Sequence, residues 1–165
     1  MGKFKDLILT ELGNTTDGYD WRFNGVVDGR HGGEAEYNFY SDEIKYEVIF
    51  KSVSNGFSSV GDQIEVDFAP KSGEVQTGDY TSRYSVNTNQ GNQFRIMATV
   101  LDITKHLWKN KNEIFDSDRD FSRLYFSPVG EGDSRKRAKL YKTFINRQFP
   151  NAEIEQNGSN FYVYP

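Results

Sequence analysis

The stretch "GNQFRIMATVLDITKHLWKN", residues 91 to 110, is where the apolar pattern of this chain changes period. Met97, Val100, Leu101, Thr104, Leu107 and Trp108 recur three and four positions apart, with Arg95, Asp102, Lys105 and Lys109 away from that stripe. Such spacing predicts an amphipathic helix over residues 94 to 110, ending in the polar run "KNKNE".

Upstream of this point the period is two. "EIKYEVIFKSV" puts Ile44, Tyr46, Val48 and Phe50 on one face and Glu43, Lys45, Glu47 and Lys51 on the other, and "QIEVDFAP" alternates Ile64, Val66 and Phe68. Both predict half-buried strands. "DWRFNGVV" and "YNFYS" are shorter candidates and "SRYSVNT" (residues 82 to 88) is a further one, while "NGFSSVGD" and "KSGEVQTGD" hold the Gly, Asn and Asp of turns. Downstream, "RLYFSPV" predicts a strand with Leu124 and Phe126 on one face and Tyr125 on the other. A second helix follows over residues 134 to 149, capped by Asp133 or Ser134, burying Leu140, Tyr141, Phe144 and Ile145 and stopped by Pro150. "AEIEQNGSNFYVYP" closes the chain as a hairpin around Asn157 and Gly158. The expectation is an α+β fold, an antiparallel or mixed sheet with two main helices. Residues 1–165 are expected to form a single domain, with 1–90 mostly antiparallel strands and 91–165 a helix, strand, helix, then strand or hairpin.

Composition narrows the chemistry. Aromatic residues make up 15% of the chain, enough to expect an aromatic-rich core although hydrophobic residues reach only 36%. A net charge of −4 argues against polyanion binding over the whole surface and leaves local patches open. With no cysteine, disulfides, thiolate chemistry and Cys-ligated zinc are excluded. No segment approaches the ~20 apolar residues of a membrane span, and "MGKFKDLILTELGN" is too short in its apolar run for a signal peptide. A cytoplasmic protein with no membrane partner is expected.

Few residues offer metal or acid–base chemistry. His31 lies among glycines in "GRHGGE" and reads as a loop histidine, and His106 reads as a helix residue rather than a base. Asp116, Asp118 and Asp120 resemble the opening of a calcium loop, but the glycine and the closing bidentate Glu are missing, so no metal site is expected. The second helix is more distinctive. It holds six basic residues and no acidic one between Ser134 and Arg147, and Arg135, Lys136, Lys139 and Lys142 share a helical neighbourhood. That basic face is a candidate docking surface for an acidic protein or a nucleic acid, with Glu131 and Asp133 serving the helix start as capping carboxylates.

Two resemblances follow from these segments. "QFRIMATVLDI", "YFSPV" and "RKRAKLYKTFINRQFP" together resemble small proteins of unknown function from tailed bacteriophages, over roughly residues 43 to 163. This implies a viral origin and leaves function open; the expected partner is a host or phage protein. The order of elements over about residues 80 to 165 is similar to the GCN5-related N-acetyltransferases, in which a central strand leads into a helix, a second strand splays away, and a later helix carries a Leu-Tyr pair. Leu140-Tyr141 stands in that place. The resemblance implies Tyr141 as the acid that returns a proton to the coenzyme A thiolate, with Gly91, Gln93 and Arg95 near the cofactor phosphates. The segment Gln93-Phe94-Arg95-Ile96-Met97-Ala98 departs from that family by placing Ile96 where glycine lets phosphate approach the backbone. The sequence therefore favours a non-catalytic binding module with no cofactor. The rival is an acyl-CoA-dependent N-acyltransferase using acetyl-CoA, and a third class, a virion component, follows if the amino-terminal strands self-associate.

Overall fold

The computed structural model describes residues 18–29, 32–41, 43–53, 62–70, 93–127 and 134–165. Its strands are β1 (Trp21–Gly29), β2 (Gly32–Ser41), β3 (Ile44–Val53), β4 (Asp62–Pro70), β5 (Phe121–Phe126), β6 (Glu153–Asn157) and β7 (Asn160–Tyr164); its helices are α1 (Gln93–Ile114) and α2 (Ser134–Gln148). The described strands form one sheet in the order β1-β2-β3-β4-β5-β7-β6. All neighbours are antiparallel except β4 and β5, which pair in parallel from Asp62↔Phe121 to Val66↔Phe126. A parallel pair requires a crossover. Here the chain makes it through α1, so the fold is α+β with a mixed sheet and two helices.

Register explains the burial pattern. Ala35, Phe50, Val66, Phe126 and Phe161 form one row across five strands, and Tyr37, Val48 and Phe68 form a parallel row. Their side chains make the core face. Both helices lie on this face. Asp102 and His106 of α1 reach Trp21 and Tyr37, Tyr141 of α2 rests on Phe68, and the helices pack against each other. The opposite face carries the polar residues of the same alternation, including a Lys51–Asp67 ion pair at 3.2 Å and Arg123 stacked 4.3 Å over the Tyr162 ring.

One boundary differs from the sequence expectation. Helix α1 does not stop in "KNKNE" but runs on to Ile114. Its end is a Schellman motif: Asp116 adopts φ 45°, its N–H donates to the Glu113 carbonyl, and the Ser117 N–H donates to the Asn112 carbonyl at 3.0 Å. The Asn112 side chain then donates to the Ser117 and Arg119 carbonyls, which turns polar residues into a helix end rather than a helix stop. The strand parallel to β5 is β4, well upstream of α1; the expected strand over residues 82 to 88 lies outside the described residues. The closing hairpin is as expected, with Asn157↔Asn160 as its last pair and Gly158 at φ 63° in the turn.

Gly25 marks an irregularity in β1. The β1–β2 register slips between Phe23 and Gly25, and Gly25 sits at φ 116°, where a side chain strains the backbone even though nothing lies within 4 Å of its would-be Cβ. Gly25→Ala is expected to cost about 1–3 kcal/mol, read as a lower urea midpoint with an unchanged slope.

Candidate functional site

The face that α2 turns away from the sheet follows from its helical repeat. Ala138, Tyr141, Phe144, Ile145 and Gln148 are buried, which leaves Lys139, Lys142, Thr143, Asn146 and Arg147 exposed on the outer side. Lys139 and Lys142 stand one turn apart, and Arg147 continues the stripe with its guanidinium 5.9 Å from the Phe144 ring. Arg135 and Lys136 lie in the first turn of the same helix. No acidic residue occurs among the fifteen of α2, so within the helix no carboxylate partners these charges at i±3 or i±4. The capping carboxylates expected at Glu131 and Asp133 lie outside the described residues.

Tyr141 occupies a different place from this exposed face. It is 7% exposed, with its ring centroid 6.1 Å from that of Phe68. Phe68 lies on β4 beyond Val66, the last residue paired with β5. Tyr141 therefore sits where the two parallel strands part. Of the residues that the acetyltransferase resemblance would place near cofactor phosphates, Gly91 lies outside the described residues and Gln93 opens α1. Arg95 is exposed, with its guanidinium carbon 4.1 Å above the Tyr19 ring on the β1 side of the molecule. Ile96 is 3% exposed and is followed by buried Met97 and Ala98. Its side chain belongs to the buried core.

A buried polar cluster between α1 and the edge of the sheet is the feature that sequence reasoning misses. The helical pattern sets Asp102 off the apolar stripe, yet it is 5% exposed and accepts a 2.8 Å hydrogen bond from Trp21 Nε1. One turn on, His106 is 8% exposed, with its Nδ1 3.1 Å from the Tyr37 hydroxyl and its ring 4.9 Å from that of Trp21. Burial, and then the positive charge of Lys109, hold the His106 imidazole below its usual pKa, and burial pushes the Tyr37 hydroxyl above its own. The only signal in the sequence is an Asp and a His four apart on a helix, and their partners lie 81 and 69 residues away.

Among the described residues no group of three or more His, Asp or Glu side chains is placed to hold a metal ion. Asp116, Asp118 and Asp120 are not gathered around a common point of that kind, and His31 lies outside the described residues. No helix among the described residues is long and apolar enough to cross a membrane. The chain matches no protein-family model and no curated protein.

Proposed function

We propose that this chain is a phage-encoded accessory protein, a non-catalytic binding module with an acetyltransferase-like core that docks an acidic host or viral macromolecule through α2. The observation that carries this reading is the outer face of α2, where Lys139, Lys142 and Arg147 are exposed on a helix without a single carboxylate. The core reading is supported by the order of elements: β4, α1, a parallel β5, then α2 with Leu140-Tyr141. Absence of catalysis is supported by the burial of Tyr141 and by the start of α1, Gln93 to Ala98, which has no glycine to bring a phosphate close to the backbone.

One observation favours the N-acyltransferase instead. Tyr141 lies at the carboxyl end of the parallel pair, the part of an open mixed sheet where ligands characteristically bind. Acetyl-CoA separates the two readings. A ligand held only by the folded chain stabilises it by about 2.7 kcal/mol at a hundredfold excess over Kd, a melting shift of about 5–10 °C for a domain of this size. No shift is expected with millimolar acetyl-CoA or free coenzyme A. A clear shift, together with thiol release that falls in Tyr141→Phe, would establish the acyltransferase in its place.

A further inference from the structure

We propose that His106 is an acid-sensitive latch that holds the edge strand β1 against α1 and lets it go when the imidazole takes up a proton.

The geometry makes β1 separable. Among the described residues it stands at the end of the sheet and pairs only with β2. Among the described residues it is also held to α1, through the Tyr19 N–H donating to Thr99 Oγ1 at 2.8 Å, the Arg95 guanidinium over the Tyr19 ring, Trp21 Nε1 donating to Asp102, and the contact between the Trp21 and His106 rings. The ladders that join β2 to β5 contain no residue of β1. Edge elements with few anchoring contacts open at lower free energy than interior strands.

The surroundings of His106 favour its neutral form. From β1 it meets the Trp21 indole, from β2 the Tyr37 hydroxyl, and from its own helix Lys109 on the following turn. Asp102, one turn earlier, directs Oδ2 to Trp21 Nε1. In the closed state the imidazole is buried; once β1 leaves, the ring meets water and takes its proton near the ordinary value of ~6.5. Below that pH the open form binds the proton that the closed form resists, so opening rises by up to about tenfold per pH unit. The rise stops where the closed form itself becomes protonated.

Hydrogen exchange of the full chain, corrected for the intrinsic pH dependence of amide exchange, tests this. The ratio of protection in Trp21–Val27 to protection in Tyr46–Phe50 is expected to fall several-fold between pH 7.5 and pH 5.5. The fall is expected to vanish in His106→Gln and to persist in His31→Gln, which removes the other histidine and leaves His106 in place. Constant protection across this range would overturn the latch, as would equal losses from β1 and β3, or a persisting fall in His106→Gln. Should His106→Gln fail to fold, the wild-type comparison of β1 with β3 together with the His31→Gln control decides the matter.

Discussion

Tyr37→Ala is expected to be the most damaging single substitution on the helix-covered face, lowering stability by about 3–5 kcal/mol. Tyr37 is fully buried, and its ring touches four others: Trp21, Phe23, Phe50 and His106, at centroid separations of 4.8 to 5.8 Å. Truncation removes those contacts, leaves a cavity between β1 and α1, and strips His106 of its hydroxyl partner. For a chain of this length the melting temperature is expected to fall by roughly 6–20 °C. Tyr37→Phe keeps the ring and orphans only the imidazole, so a smaller cost of about 1–3 kcal/mol is expected. Urea denaturation of both variants separates packing from hydrogen bonding. A Tyr37→Ala variant no less stable than a surface substitution would mean that α1 does not pack on β1 and β2 as described.

The contrast between Tyr46 and Asp102 shows how far local spacing reaches. Strand alternation depends only on neighbours in the chain, so the inward set of β3, Tyr46, Val48 and Phe50, is legible from the sequence alone. Amphipathic helices are legible for the same reason, and Leu101, Leu107, Phe144 and Ile145 are all buried as their spacing requires. Asp102 is misplaced by such reasoning because a carboxylate is assigned to the surface unless a partner is known, and its partner Trp21 lies in another element. The end of α1 escapes it because a backbone motif makes that end, with Asp116 in the left-handed region where glycine is the usual signal. The pairing of β4 with β5, which places Phe68 beside Tyr141, is long-range information that no local window contains. For the candidate docking surface, the basic run of α2 is visible in the sequence. Which of its charges face outward follows from the burial of Tyr141, Phe144 and Ile145.

The second large effect is expected at that surface. Lys139, Lys142 and Arg147 are exposed, so changing all three to Glu leaves the core contacts of α2 intact. Surface substitutions ordinarily shift stability by less than about 0.5 kcal/mol each. Arg147→Glu adds a modest penalty, because it sets a negative charge in the last turn of the helix. Binding is expected to respond far more. Each contact with a phosphate lowers the salt slope of log K by about 0.7 for a single strand and 0.9 for a duplex. Removing three contacts and adding three repulsive charges is therefore expected to weaken polyanion binding by more than tenfold at ~50 mM salt and to reduce the slope by about 2 or more. The melting temperature should change by only a few degrees.

The most direct test of the binding-module reading is a salt titration of the wild-type chain and the Lys139→Glu/Lys142→Glu/Arg147→Glu variant against two probes, a single-stranded oligonucleotide and polyglutamate. The expected result is salt-sensitive binding of the wild type to at least one probe and loss of that binding in a variant that still melts cooperatively. Wild-type chain that binds neither probe at low salt, or a folded variant that binds as tightly as the wild type with the same salt slope, would contradict the assignment of α2 as the docking face.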